Sequence, residues 1–236
     1  MGAMSANKLA GWALALGGAL IVVVGVFSPN GPVFGTGFDA GALARVKNLA
    51  EYASLAHTTA ILTAVGSLLA LTGFWHLFRS VDGKTAASVL MQGGIIAITV
   101  AFVGVILGRG LNHMIVHQLT HGTLGPAQLE FMAVTIQSVQ AGIRVMGGFV
   151  GFVGALALAV GVYGRYAGGA SKWLAVVAAL AAIAGVVSLL LAEHIHDLTI
   201  MYRVAVYVAL PVYAWYAWLG LSVARGDAEL VGEDAG

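Results

Sequence analysis

Apolar residues in this chain fall in long, nearly charge-free blocks separated by short polar stretches. Six blocks stand out: Leu9–Phe27, Leu55–Phe78, Ala87–Leu107, Ala141–Tyr163, Trp173–Leu191 and Val204–Ala224. A helix needs about 20 apolar residues to cross a bilayer core. In lipid, a helix is also the form that satisfies its own backbone N–H and C=O groups. The pattern therefore predicts an all-α integral membrane protein, a six-transmembrane-helix bundle. The first block follows Lys8 and resembles a signal sequence in outline. Val26, Phe27 and Pro29 stand where a small-x-small cleavage site would fall, so the block is expected to be a retained span.

The polar stretches on one side also carry helical patterns. Residues 40–54 lead into the second span, with Asp39 placed as an N-cap. The third span continues through 108–121, where only Gly110 interrupts. The fourth is preceded by 126–140, with Pro126 suited to a first helical position. A turn over Gly122–Gly125 joins the two arms. At 1.5 Å per residue each arm would stand about 18–22 Å beyond the membrane face. Helices two, three and four are thus expected to extend beyond the outer face. Residues 27–38, with Pro29 and Pro32, read as an irregular cap. Residues 1–225 form a single transmembrane domain in this view, and the acidic stretch 226–236 a disordered tail.

Composition narrows the function classes. The chain is 60% hydrophobic and 9% charged, against about 25% charged in soluble domains, which excludes a soluble enzyme. It has no cysteine, excluding thiolate metal sites, iron–sulfur clusters, covalent haem attachment and disulfides. A net charge of +1 gives no footprint for nucleic acid. Lys8, Arg79, Lys84, Arg165, Lys172 and Arg225 fall on one side, and Arg45, Lys47, Arg109, Arg144 and Arg203 on the other. The first set sits in short connections, where the positive-inside rule counts most. Both termini are therefore expected on the cytoplasmic side of a cell (inner) membrane, with Trp12, Trp75, Tyr163, Trp173, Trp215 and Trp218 as an inner aromatic belt.

Candidate chemistry lies on the opposite side. Of the seven histidines, His57, His113, His117, His121, His194 and His196 fall there, and only His76 does not. His113, His117 and His121 are spaced i, i+4, i+8, one stripe along a helix. Imidazoles at i and i+4 share a face and can bind one metal ion. Met114 stands where the His-Glu-x-x-His pattern would have its glutamate. In an antiparallel pairing about 123–124, Glu130 comes level with His117. Glu130, Gln137 and Arg144 recur every seven residues, a polar stripe expected to face the histidines. The expected metal ligands are His57, His113, His117, His194 and His196, with Glu130 as ligand or as general base on metal-bound water. Without sulfur, such a set suits iron, copper or zinc, and manganese by the same logic.

Arg109, Arg144 and Arg203 lie near the membrane boundary, where charges are costly and usually paired or functional. They are candidate cofactor-binding residues for an anionic group such as haem propionates, a quinone or an anionic substrate. Three functions compete. The first is a non-haem metalloprotein, an oxidoreductase or hydrolase acting on a lipophilic substrate. The second is a b-type cytochrome with haem b between histidines of different helices, serving quinol-linked electron transfer. The third is a metal-ion binding or transport protein without catalysis. Gly147, Gly151, Ala155 and Ala159 form a small-residue face on span four, suited to an intramolecular seam or to a homo-oligomer through Gly147/Gly151.

Overall fold

The structure, a computed structural model, describes residues 5–29, 31–34, 42–123, 125–195, 200–227 and 230. It is all-helical: α1 (Ala6–Phe27), α2 (Ala42–Glu51), α3 (Ala53–Ser80), α4 (Ala86–His121), α5 (Pro126–Arg165), α6 (Gly169–His194) and α7 (Met201–Ala224). All but α2 are long and apolar enough to cross a membrane. The protein is a multi-pass membrane protein.

The six long helices form a closed ring. α1 packs on α3, α3 on α4, α4 on α5, α5 on α6, α6 on α7, and α7 returns to α1. Glycines let backbones meet at the seams. At Gly11 an added Cβ would lie 2.6 Å from the Gly220 carbonyl oxygen, and at Gly94 2.7 Å from that of Gly154. Close approach of this kind is how helices associate in lipid, where burial of apolar surface gives little drive. Gly147 and Gly151 face Ala101 of α4, and Ala155 and Ala159 are fully buried. The small-residue face of span four is thus an intramolecular seam with α4.

The ends of the ring differ. At the end carrying both termini, Ser5 caps α1 and Thr85 caps α4 through their side-chain oxygens. His76 Nε2 and Asn7 Oδ1 are 2.6 Å apart, tying α3 to α1. Asp82 accepts from the Lys84 N–H and the Ser88 hydroxyl. The Tyr166 hydroxyl donates to Asp227 Oδ2, and Leu230 is fully buried in the main core. The beginning of the expected disordered tail is therefore docked; residues 231–236 lie outside the described residues. Trp215 is buried, inside the bundle instead of on the expected aromatic belt.

At the other end, the α4–α5 hairpin end, α5 starts at Pro126, as the sequence predicts. Gly108 faces Gln140 and Gly94 faces Gly154 and Leu158, one to five residues from the partners of the predicted register. Residues 40–54 differ from expectation, which made them a straight lead-in to the second span. α2 is a separate helix, broken from α3 at Tyr52 (φ −108°, ψ 40°). Arg45, Val46, Asn48 and Leu49 make one inward face of α2. The break lets Val46 and Leu49 pack against Ala56, Ile115, Val116 and Ala133, a second small core joining α2 to α3, α4 and α5. A straight helix would leave that face uncovered. Asp39, the expected N-cap, lies outside the described residues.

Candidate functional site

The helix ring encloses a cavity of about 270 Å³ towards the hairpin end. Its floor is aromatic. Phe102, Tyr213 and Tyr216 line it, with the Tyr213 ring centroid 5.8 Å from that of Tyr216 and 6.3 Å from that of Phe102, and Phe74 packs edge-on behind Tyr216 at 4.9 Å. The walls are largely apolar, with Ile98 and Phe102 from α4, Ile143 and Gly148 from α5, and Val206 and Val212 from α7. Over the hairpin end lie residues 28–29 and 31–34, of which Ser28, Pro29, Gly31 and Pro32 line the cavity. They are held by Gly31 N–H to the Ser28 carbonyl (2.8 Å), Val33 N–H to the Val26 carbonyl (3.3 Å) and Asn48 Nδ2 to the Phe34 carbonyl (3.1 Å).

The polar lining is concentrated at that same end. Arg45 of α2, Arg109 of α4 and Arg144 of α5 all line the cavity, and Arg45 and Arg109 lie within electrostatic reach of Arg144. Arg109 Nη2 donates to Ser28 Oγ at 3.4 Å. No Asp or Glu lines the cavity among the described residues. Asn112 and Gln137 join the arginines, 7% and 2% exposed. Gln137 Nε2 donates to Gln140 Oε1. The Asn112 Oδ1 and Gln137 Oε1 atoms are buried and accept no hydrogen bond from the described residues. A buried acceptor left without a donor costs about 1–3 kcal/mol.

Arg109 and Arg144, two predicted residues, are thus brought together. Arg203 is half-buried at the start of α7 and does not line the cavity. Arg45 is the group that sequence reasoning missed. The sequence puts it only among the outer-side charges, on the helical lead-in 40–54, because its approach depends on the break between α2 and α3. Asn112 and Gln137 were missed as site residues too, although Gln137 stands in the seven-residue stripe. A carboxamide in a helical stretch free of Lys, Arg, Asp and Glu was the available signal.

The histidines lie outside the cavity lining. His57 of α3 and His113 of α4 meet across the α3–α4 seam, with Nδ1 atoms 2.7 Å apart and ring centroids 4.4 Å apart. At that distance one imidazole Nδ1–H donates to the other nitrogen. His117 and His121 follow on the same stripe, their rings 5.3 Å apart. His113, His117 and His121 are exposed. His194 Nδ1 donates to the Leu190 carbonyl, one turn back on its own helix (2.9 Å). His196 lies outside the described residues. Among the described residues no three histidine or carboxylate side chains gather into a ligand group. Glu130 is exposed in a shallow hollow lined by Ala127, Phe131, Val134 and Thr135. The stripe Glu130–Gln137–Arg144 divides, since Gln137 and Arg144 turn into the ring while the histidines face outward.

Comparison with family models, curated proteins and solved structures gives no match for this chain.

Proposed function

We propose that the protein binds a lipophilic molecule with a polar head inside its helix ring. The observation that carries this is the cavity itself, apolar in its walls and floor but edged at one end by three guanidinium groups and two buried carboxamides. Small-molecule sites have this character: mostly apolar, with a few convergent polar groups that fix orientation. Charge near the membrane core is costly and is retained where it serves a ligand or pathway. A lipid-soluble ligand also suits a protein whose only apolar reservoir is the bilayer.

The test is recovery of the bound molecule. The protein is purified in a mild detergent, extracted with organic solvent, and the extract analysed by mass spectrometry. A Gly148→Leu variant fills the cavity from one wall. Its first added carbon meets only Leu189, at 3.4 Å. One species at near-equal ratio in the parent and depleted in the variant supports the proposal. The same yield from both proteins overturns it.

The His57–His113 contact favours a second reading, a metal ion held at the α3–α4 seam. A tetrahedral ion keeps two imidazole nitrogens about 3.3 Å apart with metal–nitrogen bonds of about 2.0–2.1 Å. A modest opening of the pair reaches that spacing, whereas a porphyrin would have to enter between rings already in contact. His117 is the next histidine on the stripe, and Glu130 would act as a base only under this reading. Elemental analysis of tag-free protein tests it. Near-stoichiometric iron, copper or zinc, lost in His57→Ala/His113→Ala, is the expected result. A metal-free protein that takes up none of these ions rules the second reading out and leaves the first untouched.

A further inference from the structure

The cavity has a direction. Arg45, Arg109, Arg144, Asn112 and Gln137 occupy its hairpin end. Ile98, Phe102 and Tyr216 mark the other. Along α4 the step from Arg109 down to Ile98 is about 16 Å by helical rise. A compartment polar at one end and apolar over that length matches an amphiphile lying along the ring axis, head towards the hairpin.

The head chemistry follows from what each group can do. Guanidinium groups only donate, and their forks match phosphate and carboxylate oxygens in pairs. Three of them, from three different helices, line the same end of the cavity, with Arg45 and Arg109 within electrostatic reach of Arg144. A carboxylate offers two oxygens and one charge. A phosphomonoester offers three terminal oxygens and a charge of roughly −1.5 to −2 near neutral pH, which suits three converging cations. The Asn112 and Gln137 oxygens need the opposite partner, a donor, and none of the described residues supplies one. A bare dianion would leave them as they are. A head that also carries a hydroxyl group would satisfy them. The volume, about 270 Å³, lies just below the range of about 300–1,000 Å³ for small-ligand sites, which limits the ligand to a single chain.

We propose that the ring holds a single-chain amphiphile whose head combines a phosphomonoester with a hydroxyl group, the phosphate between Arg45, Arg109 and Arg144 and the hydroxyl donating to Asn112 or Gln137. This rests on the cavity being a ligand site.

The experiment uses delipidated full-length protein in detergent and follows thermal unfolding against ligand concentration, since a ligand that binds only the folded state raises the midpoint. Four probes are compared: a monoacylglycerol phosphate, the monoacylglycerol of the same chain, the fatty acid of that chain, and inorganic phosphate. The expected result is tightest binding of the monoacylglycerol phosphate, by about tenfold or more over each of the others, one decade being 1.4 kcal/mol. Equal binding of the monoacylglycerol or of the fatty acid overturns the phosphate head and leaves the ligand site standing. Equal binding of inorganic phosphate overturns the amphiphile. No stabilisation by any of the three lipids overturns the ligand site itself.

Variants separate the roles. Arg144→Gln should lose most of the preference for phosphate over the neutral lipid. Should that variant not fold, Gln137→Leu serves, because it removes an acceptor without removing charge. It should weaken the phosphate lipid several-fold while the midpoint of the ligand-free protein moves little, since the unsatisfied acceptor goes together with the donor to Gln140. A lowered ligand-free midpoint with unchanged affinity would show that Gln137 is satisfied within the protein and has no part in the head site.

Discussion

At the residue scale, the buried carboxamides carry the sharpest stability test. Asn112 is 7% exposed with an oxygen that accepts nothing. Asn112→Leu keeps the volume and removes the unsatisfied acceptor, so ligand-free stability should rise by about 1 kcal/mol, read from thermal unfolding in detergent. A fall of similar size would mean that the amide is satisfied where it lies. Asp82, outside the spans, gives a pH test. The Lys84 backbone N–H holds its carboxyl below the ordinary carboxylate range, helped by the Ser88 hydroxyl and by the Arg165 and Lys84 charges. A lowered folded-state value means stabilisation present above the unfolded value near 4 and lost as pH falls through the folded value. Protection of the backbone amides in the 81–86 turn, taken relative to each amide's intrinsic exchange rate, should therefore fall on acidification below about pH 4, and in Asp82→Asn it should be low already at neutral pH.

At the scale of elements, the seams decide tolerance. Gly93 and Gly94 are neighbours on α4 with opposite surroundings. An added Cβ at Gly93 meets nothing within 4 Å, whereas at Gly94 it falls 2.6 Å from the Leu158 backbone nitrogen. Gly93→Leu is expected to leave the melting midpoint nearly unchanged. Gly94→Leu forces α4 from α5 and should cost about 1–3 kcal/mol or more. Equal effects of the two would contradict the ring order. The element level also explains the gap between expectation and structure over residues 40–54. Their helical character was legible in the composition, but the break at Tyr52 was not. It is enforced by Ile115, Val116 and Ala133, which α2 can cover only by folding back across them.

At the scale of the whole molecule, the ring places polar groups at one end of an apolar interior, and its sidedness is open to direct measurement. The chain has no cysteine, so single cysteines report cleanly. Thr123 at the α4–α5 turn and Gly168 between α5 and α6 lie at opposite ends. With the orientation given by the positive-inside rule, an impermeant thiol reagent added outside cells should label Thr123→Cys and spare Gly168→Cys. The reverse pattern would turn the cavity's polar end to the cytoplasm without altering its chemistry.

The amino-acid sequence alone determined that six helices cross the membrane, because span length and apolarity are local properties set by the bilayer's thickness and its lack of hydrogen-bonding partners. It also determined the pairing of α4 with α5, since the short turn at 122–125 leaves an antiparallel hairpin as the natural outcome, and it marked Arg109 and Arg144 as unusual charges. Which side of each helix faces the ring was decided only by tertiary structure. Nearly uniform apolar spans have little amphipathic pattern, so no periodicity distinguishes the lumen from lipid. That is why Glu130, Gln137 and Arg144, one stripe in sequence, part company. It is also why His57 and His113 meet outside the cavity while Arg45, Asn112 and Gln137 line it: glycine contacts between backbones set the rotation of each helix, and those contacts exist only once the ring is closed.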